Sequence, residues 1–262
     1  MSIWTLILCG WAIITIAMFA LWLVQKRTGD AGIVDVAWTG GLGFMALLFA
    51  AGSTVGLPAR RWAVGLFAAM WATRLLVYLL RDRILKGGED GRYLTLRERW
   101  GKNTQRNLLI FFQAQGVLAM VLSLHFLIAM STSRPFGWPD LLGGAIWLIS
   151  IGGETLADRQ LERFRSDPAN RGRTCRAGLW RFSRHPNYFF EWLHWFAYVF
   201  LAVGAGCFTL SLIGPAAMYL FLVRLTGIPH VEREALAKRG DAYREYQRTT
   251  SMLFPLPPRK CT

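Results

Sequence analysis

The sequence predicts an all-α, polytopic membrane protein with seven transmembrane helices. The first observation is composition: 53% of the 262 residues are hydrophobic and 12 are tryptophan, with a mean hydropathy of +0.30. That is a membrane composition, not a soluble one. The second is that the apolar residues gather into seven runs, at Ile3–Val24, Ile33–Ala51, Trp62–Leu80, Leu108–Met130, Leu141–Ala157, Phe189–Gly206 and Phe208–Leu225. Each comes near the ~20 residues a helix needs to cross ~30 Å of hydrocarbon. The third is that no period-two strand pattern or repeat interrupts them.

The formal net charge of +14 raises nucleic acid as a partner, but the basic residues occupy the loops between apolar runs. Membrane topology and anionic lipid headgroups account for such a pattern. One side receives Lys26, Arg27, the stretches 81–106 and 159–184, and the C-terminal tail, whereas the other receives Arg60, Arg61 and Arg134. The positive-inside bias then places the N-terminus outside and the tail in the cytoplasm, as expected for a bacterial inner-membrane protein. It also brings the two long loops and the tail together as a basic cup for an anionic cofactor. Cys9, Cys175, Cys207 and Cys261 lack metal-ligand spacing and read as unpaired thiols. Ile3–Val24 has neither a basic n-region nor a small-residue cleavage site, so it reads as a retained span.

In the second span, Asp35 sits about one turn inside the helix, with Trp38 beyond it and Gly40, Gly41 and Gly43 permitting close packing. Asp35 is either an acid favoured by the helix dipole or an acid in a substrate pocket. The third span carries Arg74 and, one turn on, Tyr78. An intramembrane arginine calls for a partner, and Asp35 and Glu154 are the candidates by depth. The mixed-charge loop 81–106 suits a short amphipathic helix, and His125 reads as a packing residue. The fifth span ends in a helical face of Glu154, Asp158, Glu162 and Arg165.

The stretch Arg181–Trp195 organises the second half. Pro186 disfavours helix in the residue before it, so a helix is expected just after it with Asn187 as N-cap. Asn187, Glu191, His194 and Tyr198 then share one face, at spacings of four, three and four. Arg181, Arg184 and His185 precede this polar stripe as if to hold an anion at the membrane edge. A carboxylate at Glu191 is costly in lipid without a partner. The tail is expected to form a helix over Glu232–Arg248, broken near Gly240 and ended by Pro255, Pro257 and Pro258. Tyr243 and Tyr246, with Arg244 and Arg248, suit stacking and phosphate contact, while a basic tail lying on lipid is the alternative.

Taken together, GDAGIVDVAW, WATRLLVYLLRDR, LADRQLERFR, WRFSRHPNYFFEW and YREYQRTTSMLFP resemble the steroid 5-alpha-reductase family, in particular its bacterial DUF1295 branch. The RHPNY segment is similar also to isoprenylcysteine carboxyl methyltransferases. The resemblance implies an NADPH-dependent reductase acting on the C=C bond of an enone lipid or 3-oxo-Δ4-steroid-like substrate. The implied division is a single transmembrane domain with a substrate side over residues 1–130 and a cofactor half over 131–262. It implicates Asp158, Arg165, Asn187, Glu191 and Tyr246 in holding NADPH. Glu154, Arg181, Arg184, His185, Tyr188, Tyr243 and Arg248 join the same cofactor site. On the substrate side it points to Asp35 as catalytic, with Trp38, Trp71, Arg74 and Tyr78 around the substrate. No GxGxxG follows a strand, so a Rossmann domain is not expected, and no metal site is expected either. Animal members hold the steroid carbonyl with a glutamate in the second span and a tyrosine in the third. Here Asp35 and Trp71 stand nearest those positions, and Glu154 stands where an asparagine is expected, so steroid specificity does not follow. The competing reading is an S-adenosylmethionine-dependent methyltransferase using the same cup.

Overall fold

The computed structural model describes residues 1–85, 88–225 and 227–259, with side chains described for all of these except Asp82, Arg83 and Ile84. Its helices are α1 (Ile3–Thr28), α2 (Ile33–Gly52), α3 (Pro58–Leu79), α4 (Gly91–Trp100), α5 (Thr104–Met130), α6 (Trp138–Ser166), α7 (Pro186–Leu201), α8 (Ile213–Leu220) and α9 (Ile228–Thr249). No strand occurs among the described residues, only an isolated parallel bridge between Ser183 and Ser251. Each of the seven apolar runs falls mainly on helix. α1, α2, α3 and the segments Gly91–Met130 and Phe208–Thr249 contain five helices long and apolar enough to cross a membrane on their own. α6 falls outside that set because Glu154 and Asp158 interrupt its apolar run, and α7 because it has 16 residues.

Two boundaries differ from expectation. α7 ends at Leu201 rather than near Gly206, because the chain turns at Gly204 with φ +89°, a left-handed conformation open to glycine. The last run is composite: a 3-10 turn at Phe208–Leu212, α8, and a wider π turn at Phe221–Leu225. The expected loop helix is present as α4, N-capped by Asp90, whose carboxylate accepts from the Arg92 amide at 2.8 Å. The tail helix kinks at Gly240, φ +52°, as expected.

The chain divides into two units, Met1–Pro135 with Leu201–Ser211, and Phe136–Phe200 with Leu212–Thr262. In the first, α2 is central and packs on α1, α3 and α5. Its glycines let backbones approach: a Cβ at Gly41 would lie 2.6 Å from the Ile14 side chain, and one at Gly43 would lie 2.7 Å from Ala72. In lipid, where helices gain nothing from leaving water, such close contact is what holds them. Arg60 is fully buried, and its guanidinium donates to the carbonyls of Thr132 (3.1 Å) and Arg134 (2.7 Å) beyond the end of α5. Those carbonyls have no helical partner, so a buried cation satisfies them.

In the second unit, α6 and α7 pack antiparallel. Gly153 faces the Phe190 ring, where a Cβ would come within 2.4 Å of ring carbon. Cys9, Cys175 and Cys207 are free thiols, and Cys261 lies outside the described residues. Because a side chain at position 153 would overlap the Phe190 ring, Gly153→Leu should destabilise the second unit by about 1–3 kcal/mol. Thermal unfolding in detergent, followed by tryptophan fluorescence, measures this.

Candidate functional site

Within the first unit, polar groups gather where α2 begins. Asp35 lies in the first turn of α2, where the helix dipole favours an acid. Its Oδ2 accepts from Arg92 Nη2 at 2.6 Å and its Oδ1 from the Tyr93 phenol at 2.9 Å. Both partners stand on α4, and Tyr93 is almost fully buried. α4 is itself anchored by Glu89, which accepts from the Ala31 amide (2.8 Å) and from Arg97 (2.6 and 3.0 Å). Arg97 also donates to the Gly29 carbonyl at 2.8 Å. The contacts of Gly40 with Leu76 and of Gly43 with Ala72 set the α2–α3 register. That register places Tyr78 level with Trp38, Arg74 about one turn deeper and Trp71, fully buried, about two turns deeper.

Within the second unit, the α6–α7 seam is polar. Asn187 Nδ2 donates to Asp158 Oδ1 at 3.1 Å, and near the other end Trp147 hydrogen-bonds to Tyr198. In antiparallel helices these two links fix the register, which sets Glu154 level with Glu191 and Ser150 level with His194. Glu154, Glu191, His194 and Ser150 are all buried. Along α7 itself, Trp195 Nε1 donates to Glu191 at 3.3 Å and His194 pairs with the Tyr198 hydroxyl at 2.8 Å. The helix begins at Pro186, so Asn187 lies in its first turn and is not the expected N-cap. Proline at this first position has the right φ and lacks an N–H that would be unpaired anyway.

The segment leading into α7 is bound to the tail through Glu232 of α9. Glu232 accepts from Arg184 Nε (2.6 Å), His185 Nε2 (3.1 Å), Gln247 (2.8 Å) and the Tyr243 phenol (3.5 Å). Arg184 also donates to the carbonyls of Gln247 (3.0 Å) and Thr250 (2.6 Å). The backbone closes the arrangement, Arg184 N to Ser251 O at 2.8 Å and Leu256 N to Phe182 O at 3.0 Å. Tyr246 donates to the Trp180 carbonyl, and Trp180 Nε1 donates to Ala157 of α6 at 2.9 Å. Burial would raise the Glu232 carboxyl, but the hydrogen bonds and charge of His185 and Arg184 overcome it and hold it at about 2. Burial pushes His185 down despite Glu232. Burial, reinforced by Glu232, pushes Tyr243 up to about 12, and burial also raises Tyr246. Both phenols therefore remain protonated donors.

A family model described as "Protein of unknown function (DUF1295)" matches residues 21–250. The chain belongs to the DUF1295 family. No curated protein and no solved structure matches it. In this DUF1295 protein the expected residues separate into three groups. Glu154, Asp158, Asn187 and Glu191 share the α6–α7 seam. Arg165, Arg181 and Arg248 are exposed around the second unit. Arg184, His185, Tyr243 and Tyr246 are buried in the joint between the α7 lead-in and the tail, with Tyr188 stacked on His185 at 5.5 Å. Arg184 and Tyr246 thus bind the protein's own carbonyls. The apolar face of α9, with Ala235, Tyr243 and Tyr246, is buried in protein, which argues against a tail lying on lipid. Sequence reading missed Tyr93, Arg92 and Glu232. Asp90 as an N-cap was the available signal for α4, but nothing local marks the partners of Glu232.

Glu232→Gln should leave the buried Arg184 charge uncompensated and cost about 3–5 kcal/mol at pH 7. The folded value of Glu232 lies below its ordinary 4.5, so its stabilisation is complete above about 4.5 and drains as pH falls towards 2. Melting temperatures from pH 7 to pH 3 should show that acid loss in the native protein, and Glu232→Gln should lack Glu232's share of it.

Proposed function

We propose that this protein is an NADPH-dependent membrane reductase that reduces the C=C bond of an enone lipid, in the manner of steroid 5-alpha-reductases. The observation that carries the reading is the α6–α7 seam. The residues implicated by resemblance, Asp158, Asn187 and Glu191, fall into register there, joined by the Asp158–Asn187 bond. The residues present suit the cofactor. A carboxamide and a carboxylate one turn apart on α7 offer the donors and acceptors that a nicotinamide amide needs. Exposed Arg165, Arg181 and Arg248 supply cations for phosphates, whereas Arg184 and His185 are already committed to Glu232. Bound NADPH supplies hydride for the β-carbon of the enone.

Within the first unit, the Asp35–Tyr93 pair is the proposed counterpart of the family's carbonyl-holding residues. Reduction of an enone builds negative charge on the carbonyl oxygen, and a donor must meet it. Tyr93 supplies the phenol that Trp71 cannot. Arg92 and Tyr93 hold Asp35 from two sides, and Asp35 orients the phenol. We further infer an N-terminus outside and a tail and cofactor site facing the cytoplasm, from the distribution of basic loops. The expected partners are a lipid-like or steroid substrate and membrane lipids, without nucleic acid.

A second reading, an S-adenosylmethionine-dependent methyltransferase, draws on a different observation. Glu154, Asp158 and Glu191 place three carboxylates along one seam, and carboxylates attract a sulfonium more readily than a phosphate. Thermal stabilisation by NADPH, NADH and S-adenosylmethionine, measured side by side, separates the two. A ligand at 100 times its dissociation constant stabilises the folded state by ~2.7 kcal/mol. The reductase reading expects a shift with NADPH that Asn187→Ala and Glu191→Ala abolish while the proteins stay folded. A shift with S-adenosylmethionine alone overturns it. With substrate in hand, Asp35→Asn and Tyr93→Phe should slow turnover far more than they weaken NADPH binding; unchanged turnover removes both from the chemistry.

A further inference from the structure

α9 turns its apolar face to protein, but the segment after it does not. Phe254 lays its ring against Phe189 and Trp192 of α7, at centroid distances of 6.0 and 5.6 Å. Those two residues follow Pro186 by about one and two turns, so Phe254 lies roughly 5–9 Å along α7 from its start. Trp192 in turn donates to the Pro215 carbonyl of α8 at 3.0 Å, which sets Phe254 beside two of the apolar runs. The outer side of the segment is open: Phe254 is 44% exposed and Leu256 51%. The Leu256 amide donates to the Phe182 carbonyl at 3.0 Å, and Phe182 is itself 39% exposed. Three large apolar side chains are thus uncovered around one backbone contact, at the end of α7 where its apolar run begins.

The backbone of this segment is as closed as its side chains are bare. Pro255, Pro257 and Pro258 have no N–H. The amides of Leu256 and Arg259 donate to the carbonyls of Phe182 and Thr249, at 3.0 and 2.8 Å. From Pro255 to Arg259, therefore, no amide proton is left for water. An irregular segment in water has no need of that, whereas beside hydrocarbon every unpaired donor is costly.

We propose that the segment after α9 is a membrane anchor: Phe254, Leu256 and Phe182 insert into the leaflet where α7 starts, and exposed Arg259 stays among the headgroups. The position of Phe254 along α7 matches the ~5–10 Å to which interfacial apolar groups sink. The partner is the lipid surface itself, and the inference does not rest on the reductase reading. It gives the joint around Arg184 a second support, because Ser251, which accepts from the Arg184 amide, stands three residues before the inserted phenylalanine.

The test uses the full chain in nanodiscs of phosphatidylethanolamine and phosphatidylglycerol, with its four cysteines replaced by serine. Nitroxide labels are placed one at a time through Phe254→Cys, Leu256→Cys and, as an aqueous control, Asp241→Cys, whose side chain is 92% exposed on α9. Oxygen concentrates in hydrocarbon and a nickel chelate stays in water, so the ratio of their collision rates reports depth. The labels at Phe254 and Leu256 should show a ratio roughly tenfold above the control, as suits ~5–10 Å of insertion. Leu256→Cys leaves the ring contacts of Phe254 in place, and an unchanged melting temperature reports that the fold is intact. Phe254→Asp, with the label kept at Leu256, should bring the ratio back towards the control. A ratio at Leu256 equal to the control places the segment in water and overturns the anchor. Protection from both reagents, with spin–spin broadening between copies, overturns it in favour of contact with a second copy of the chain. An unchanged ratio in Phe254→Asp overturns Phe254 as the anchoring residue.

Discussion

The Arg184–Glu232 ion pair is the contact on which the second unit depends. It joins the segment before α7 to α9, across 48 residues of sequence, at 2.6 Å and with both side chains largely out of water. Charges so placed are tolerable only when every remaining donor and acceptor is also satisfied. Gln247, His185 and Tyr243 also donate to the carboxylate, and the guanidinium donates to the carbonyls of Gln247 and Thr250. The position of Pro186, and hence the direction in which α7 starts and the face on which Asn187 and Glu191 stand, follows from this joint.

The first unit solves a different problem. Glycines on α2 allow its neighbours to pack at near-backbone distance, which leaves little space for polar side chains inside the bundle. The acid of α2, Asp35, accordingly stands in the first turn of that helix, where α4 lies. Asp35 is held there from two directions, by a guanidinium and by a phenol. A carboxylate fixed in this way keeps one orientation, which a group that positions a proton donor requires.

Much of this was legible in the sequence and some of it was not, for a definable reason. Apolar runs, the Gly40–Gly43 packing surface, the α4 helix and the Gly240 break are local signals, read from composition and spacing over a few residues. Asp35 with Tyr93, Arg60 with the carbonyls beyond α5, and Glu232 with Arg184 are pairings between residues 48 to 74 positions apart. Periodicity carries no trace of them. The arginines show the limit most clearly. Sequence reading grouped Arg181, Arg184 and Arg248 by charge, whereas the fold leaves two of them exposed and spends Arg184 on its own backbone. Asn187 illustrates a smaller miss: a good capping residue beside Pro186 loses that role because proline takes the first helical position.

The joint between the α7 lead-in and the tail also sets an order of events during synthesis. Phe182 and Arg184 receive their backbone partners from Leu256 and Ser251, residues translated some 70 positions later. Until those residues leave the ribosome, the stretch before α7 lacks these backbone partners. The second unit therefore reaches its final form only after residues 251–256 have been made, and a segment distant in sequence is the one that closes it.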